Sequence, residues 1–343
     1  MWKFDDLQRE AVSSGLASRS AFFRPTLTPA VEAAIRATHD TKYLDAFYAD
    51  RLDERALRRT GFSQRPDHAA LVARTRLEVA GTLRAADLAY DYGLACNLAG
   101  GTHHAHRAYG AGYTCINDLA VAAIRHTTTS SQKKSDNTTS SRCVVIDCDV
   151  HQGDGTAEIL AEHPRISTYS LHCADNYPFG FSQKAAPHLG RDRSDVDVAL
   201  PAGSGDREVL GALEATLPRF LDDHLGAGDC ETLCLYDAGV DAAEVDDLGR
   251  FDMTPEGLFQ RDVFVLTACL RRGVPVATVI GGGYDRDRAS LARRHAIVLR
   301  AATFVWRHHR LGGNNTTPWN NNERTARRRR RHRDDTGPGV VPS

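Results

Sequence analysis

Six short apolar runs punctuate the chain: Leu94 to Leu98, Cys143 to Cys148, Ile166 to Leu171, Asp195 to Leu200, Thr232 to Tyr236 and Pro275 to Ile280. Each is close to continuous in apolar residues instead of alternating, which is the pattern of strands covered on both faces. Helical spacing falls between them. Leu210, Leu213, Leu217 and Leu221 keep one face apolar. Thr254 and Pro255 read as the N-cap and first position of a second helix, which then presents Leu258, Val263, Leu266 and Leu270. Strand and helix alternating in this way predict one α/β domain with a mostly parallel sheet. In such sheets the chemistry gathers beyond the carboxyl ends of the strands.

Two stretches break the pattern. His126 to Ser141 is rich in Ser, Thr, Asn and Lys without apolar periodicity, and reads as an exposed low-complexity insert (126–141). From residue 312 onward Asn, Thr, Arg, Pro and Gly dominate. The expectation is a single catalytic domain over 1–311 followed by a disordered Arg-rich tail over 312–343.

Composition narrows the class. With 343 residues, 41% of them hydrophobic and 25% charged, the chain can bury a large core, and wholesale disorder is excluded. No run reaches eighteen apolar residues and the N-terminus lacks the apolar segment of a secretion signal, so no membrane association is expected. The net charge of −1 hides an asymmetry: residues 1–323 carry 36 basic and 42 acidic side chains, and seven arginines crowd into 324–333. The acidic body argues against direct sequence-specific nucleic-acid binding. The basic run is a candidate nuclear localisation signal, which places the chain in the nucleus, the cytoplasm or both. Eight cysteines are scattered singly, without a C-x-x-C pair, and read as reduced core residues.

The chemistry-bearing residues sit at strand ends. The run Cys143-Val144-Val145-Ile146 leads into Asp147-Cys148-Asp149-Val150-His151-Gln152-Gly153-Asp154-Gly155. Strand alternation puts Asp147, Asp149 and His151 on one side, and like charges this close are costly unless a cation holds them. The run from Leu94 ends in Gly100-Gly101-Thr102-His103-His104, where a neutral imidazole can serve as base or ligand. A third run ends in Asp237-Ala238-Gly239-Val240-Asp241, with Asp237 nearer the strand and structural, and Asp241 the better ligand. A fourth ends in Gly281-Gly282-Gly283-Tyr284, bringing one hydroxyl donor to the same rim. One His and two Asp would hold a divalent metal and leave a position open for water; a histidine and a tyrosine hydroxyl complete a set suited to amide hydrolysis. Elsewhere, His39 reads as structural, His172 as either a loop hydrogen bond or part of the site rim, and Arg74 and Arg76 as helix-surface pairs.

Over residues 2 to 305 these motifs resemble the zinc-dependent histone deacetylase family. Gln152 after His151, and Cys96-Asn97-Leu98-Ala99 before the glycines, look more like its class IV branch and bacterial relatives. The resemblance implies an arginase/deacetylase-like three-layer α/β/α sandwich and hydrolysis of N6-acyl-lysine, with histone tails a plausible substrate. It implies Asp149, His151 and Asp241 as ligands of one Zn²⁺, His103 and His104 as tandem general base and acid, and Tyr284 as the group polarising the acyl carbonyl. Asp147 and Asp154 would orient the two imidazoles, and Gly112 and Tyr113 would line the acyl-lysine channel. A K⁺ ion held by Asp147, Asp149, His151, Ser170 and Leu171 is implied as well. The family's first strand, which precedes the segment that Met1-Trp2-Lys3-Phe4 resembles, is expected to be missing. Hydrolysis of acetylated polyamines or other small amides fits the same motifs, and an inactive corepressor scaffold is the reading from another class. A two-metal ureohydrolase fits less well, for want of further aspartates in these motifs.

Overall fold

The computed structural model describes residues 2–62, 67–132, 141–178, 194–225 and 231–308. All six expected strands form: β1 (Leu94–Cys96), β2 (Ser141–Asp147), β3 (Ile166–Cys173), β4 (Val196–Leu200), β5 (Glu231–Asp237) and β6 (Val276–Val279). They pair in parallel in the order β1-β6-β5-β2-β3-β4. The order reverses between β2 and β5, and there Asp147 and Asp237 stand opposite each other in register.

Burial on both faces accounts for the four inner strands, while β1 and β4, at the two edges of the sheet, are only partly buried, contrary to the expectation for their runs. Val144 and Ile146 of β2, with Cys234 and Tyr236 of β5, join one core, while Cys143, Val145, Leu233 and Leu235 join another on the opposite face. The first core is covered by α1 (Trp2–Ser13), α8 (Asp206–His224), α9 (Pro255–Arg271) and α10 (Arg288–His308). The second is covered by α2 (Pro29–Thr38), α3 (Thr41–Tyr48), α5 (His68–Tyr92), α6 (Asp118–Gln132) and α7 (Asp154–Leu160). The result is the three-layer α/β/α sandwich. As expected, Thr254 caps α9, its Oγ1 accepting from the Gly257 amide at 3.0 Å. Leu213, Leu217 and Leu221 of α8 are fully buried.

Two expectations change. Strand and helix do not alternate throughout: α1, α2, α3, α4 (Glu54–Thr60) and α5 all precede β1. The insert also begins later than its composition suggests, because α6 continues through His126 and Thr127 to Gln132. Thr127 Oγ1 donates back to the Ala123 and Ile124 carbonyls, and the His126 ring packs on Tyr90. A threonine so bonded loses little by being helical. Residues 133–140, Cys230 and the tail with its arginine run lie outside the described residues. The seven other cysteines are free thiols.

Candidate active site

The site forms where the strand order reverses, the place at which open parallel sheets leave a crevice. β2 ends on Asp147, and the next four residues bring Asp149 and His151 across the crevice. His151 Nδ1 lies 3.0 Å from Asp149 Oδ1 and 3.2 Å from Asp241 Oδ2. Backbone amides aim both carboxylates. Asp149 accepts from the His151 and Gly282 amides at 3.0 and 2.7 Å, and Asp241 Oδ1 accepts from the Val150 amide at 3.0 Å. Asp149 and Asp241 are 1% and 0% exposed, so neither carboxylate has bulk water to stabilise it. Burial first, and then the neighbouring Asp149 charge, push the Asp241 carboxyl up to about 6. One ligand atom from each of the three residues falls within 4.8 Å of the other two. An imidazole and two carboxylates so packed fit a divalent cation, and three protein ligands leave room for water.

The histidine pair stands beside this trio. Asp118 builds their turn by accepting from the amides of Gly101 and Thr102. His103 Nδ1 bonds Asp147 Oδ2 and His104 Nδ1 bonds Asp154 Oδ1, each at 2.7 Å, with the two rings 4.1 Å apart. Asp154 also bonds His106 Nε2 at 3.3 Å and lies in the first turn of α7, where the helix dipole favours an anion. The two imidazoles are driven apart electrostatically. Burial lowers both, yet Asp147 and Asp149 outweigh it at His103, which ends well above the ordinary range. His104, facing the His103 charge, falls to about 4.

Tyr284 and two further aromatic rings frame the approach. The Tyr284 amide donates to Asp246 Oδ2 at 2.7 Å, and its carbonyl accepts from Arg294 Nη2 at 3.1 Å. Burial, reinforced by Asp241 and Asp149, raises its phenol well above the usual value, so the hydroxyl keeps its proton. Tyr113 is 51% exposed, with its ring 6.2 Å from that of Tyr284. Gly112, at a φ of 53°, leans against His104, and a Cβ there would overlap the imidazole. Opposite stands Tyr177, edge-on to His104 at 4.8 Å and 6.4 Å from His151. Nothing in the spacing around Tyr177 distinguishes it, beyond its place in the loop after β3.

Asp237 belongs to this cluster more closely than its strand position suggests. Its carboxylate is fully buried beside His103 and Asp147, both its oxygens lack a hydrogen-bond partner, and burial raises its pKa far above normal. His39 is structural: Nδ1 donates to the His106 carbonyl at 3.0 Å and Nε2 accepts from the Asn117 amide at 3.0 Å. His172 resolves toward the hydrogen bond, with Ser170 Oγ 3.0 Å from its Nδ1. Asp147 Oδ1 is engaged by the Asp149 amide at 3.0 Å. The K⁺ expectation gains no support here. Arg74 pairs along α5 with Glu78 at 3.7 Å, whereas Arg76 pairs not along its own helix but across to Glu32 of α2 at 3.0 Å.

Residues 4–301 match the histone deacetylase domain. The chain is 40% identical to an uncharacterised protein of Picosynechococcus sp. over 306 residues, covering 89% of this chain and 93% of that one. It is 28% identical to histone deacetylase 2 of Arabidopsis thaliana, over 62% of this chain and 50% of that protein. Among solved structures, an HDAC homologue complexed with SAHA superimposes with a TM-score of 0.68 at 22% identity, covering 87% of this chain and 77% of that one. The acetylpolyamine aminohydrolase of Burkholderia pseudomallei gives 0.61 at 22% identity, over 88% and 90% of the two chains. The chain belongs to the histone deacetylase family and is an amidohydrolase of that family. No helix among the described residues is long and apolar enough to cross a membrane. The nuclear address expected from 324–333 draws no support from these relatives.

Proposed function

We propose that this chain hydrolyses the amide of N6-acyl-lysine in proteins, histone tails included, using one divalent metal held by Asp149, His151 and Asp241. The observation that carries this reading is the buried trio standing beside two histidines, each backed by its own carboxylate. Zinc is the family's usual ion, and when bound it would acidify a water and polarise the acyl carbonyl. The chain's own residues do the rest. His104, held neutral, takes the water's proton and delivers it to the departing amine nitrogen, with Asp154 fixing its tautomer. His103, hydrogen-bonded to Asp147, stabilises the negative charge that develops beside it. The Tyr284 hydroxyl donates to the acyl oxygen as it becomes an oxyanion. Tyr113 and Tyr177 offer aromatic faces beside the site against which an alkyl chain can lie.

A second reading, hydrolysis of acetylated polyamines, is favoured by the likeness to the acetylpolyamine aminohydrolase. The complete set of trio, histidines and tyrosine weighs against a scaffold without activity. Acetate release from an acetyl-lysine peptide and from N-acetylputrescine, and fatty-acid release from a myristoyl-lysine peptide, separate the substrate classes. The expected kcat/KM is at least tenfold higher on a peptide; preference for the polyamine overturns the protein-substrate reading.

A further inference from the structure

Arg261 lies in the middle of α9, a helix that contributes no side chain to the trio, yet it is 0% exposed. A buried guanidinium is expensive unless its charge is matched and its donors are used. The match comes from Asp262, whose Oδ1 lies 3.0 Å from Arg261 Nε and 2.9 Å from Nη2. That same oxygen accepts from the Tyr236 hydroxyl at 2.6 Å, which fastens the pair to β5. Burial opposes the Arg261 charge, but Asp262 more than offsets it and keeps the guanidinium ionised.

The remaining nitrogen makes the connection that matters. Nη1 donates to the Cys148 carbonyl at 2.9 Å and to the Gly239 carbonyl at 2.8 Å. Cys148 immediately precedes Asp149, and Gly239 lies two residues before Asp241. The two hydrogens of one nitrogen therefore bridge the two loops that carry the two carboxylate ligands, from behind the site. We propose that Arg261 is a positioning residue of the metal centre: it sets the separation of the Asp149 and Asp241 loops, and thereby the affinity and geometry of the trio. Lysine has a single nitrogen and cannot bond Asp262 while also holding both carbonyls, so Arg261→Lys keeps the charge and loses the clamp. The proposal rests on Asp149 and Asp241 being metal ligands, and on nothing about the acyl substrate.

The test is a chelator-competition measurement of Zn²⁺ affinity on the stripped full-length protein, paired with the visible spectrum of the Co²⁺ form. Arg261→Lys, checked by circular dichroism to be folded, should bind Zn²⁺ roughly 10- to 100-fold more weakly. Its Co²⁺ bands should shift or broaden, since the ligand oxygens no longer hold one spacing. Should that variant fail to fold, Tyr236→Phe decides the matter. It removes only the hydroxyl that steadies Asp262, and should weaken Zn²⁺ binding severalfold with the fold intact. Folded Arg261→Lys with wild-type affinity and an unchanged Co²⁺ spectrum overturns the proposal, as does an unaffected Tyr236→Phe where only that variant folds. Wild-type protein that binds no Zn²⁺ removes instead the reading of the trio on which the proposal stands.

Discussion

Single side chains here are set by what lies behind them. Tyr284 is useful because its phenol stays protonated beside two carboxylates, and Tyr284→Phe deletes that donor without disturbing the trio. The expected result is a kcat reduced about 10²- to 10³-fold with bound metal unchanged, read by steady-state kinetics and metal analysis. Gly112 is needed for two reasons, its left-handed backbone and its contact with the His104 ring. Gly112→Ala should lower kcat/KM by more than tenfold on an acetyl-lysine peptide by displacing that imidazole. Asp237 is the reverse case, a buried carboxylate with neither oxygen satisfied. Its folded pKa is raised, so any stability it contributes is present below the ordinary carboxylate range and is lost as pH rises through the folded value. Asp237→Asn should therefore be more stable at pH 8 by ~1 kcal/mol, with the gain shrinking toward pH 4 in urea titrations. A loss of stability at pH 8 would show that the carboxylate has a favourable partner.

Elements were readable to the extent that one local signal decided them. Four strands, β2, β3, β5 and β6, declared themselves through apolar runs that are buried along almost their whole length, and α9 through Thr254 and Pro255, whereas the two edge strands β1 and β4 are only partly buried. The end of α6 did not, because Thr127 satisfies its hydroxyl on the helix's own carbonyls, a choice invisible in a Ser/Thr-rich string. Long-range ties were equally hidden. His39, just after α2, reaches the loop after the histidine pair through the His106 carbonyl and the Asn117 amide, and Asn117 Nδ2 in turn donates to the His103 carbonyl at 3.3 Å. Burial brings His39 down to about 4, below its unfolded value, so its contribution is complete above about pH 6.5 and is lost as pH falls toward 4. Replacing it by Gln should cost about 1–3 kcal/mol at pH 7, with the deficit narrowing by ~1.4 kcal/mol per unit between pH 6.5 and 4.5. A deficit constant with pH would show that His39 is not held neutral by the fold.

At the scale of the whole molecule, the sheet does the assembling. Asp147 and Asp237 face each other only because β2 and β5 are neighbours despite lying far apart in the chain, and that adjacency places four strand ends around one crevice. The individual motifs were visible in the string; their convergence was implied by the family resemblance and follows physically from the strand order. Tyr177, Arg261 and the closeness of Asp237 to His103 escaped notice because none sits in a spacing that marks it. Each acquires its role from a partner in a distant segment. Whether this crevice is a single-metal amide hydrolase is decided by stripping the protein with chelator and restoring Zn²⁺ stepwise while acetate release from an acetyl-lysine peptide is followed. The expected result is no turnover when stripped, full turnover at one equivalent per chain, and none at any equivalence in Asp241→Asn. Turnover that persists in chelator, or a fully loaded and folded protein that hydrolyses no acylated amide, would contradict it.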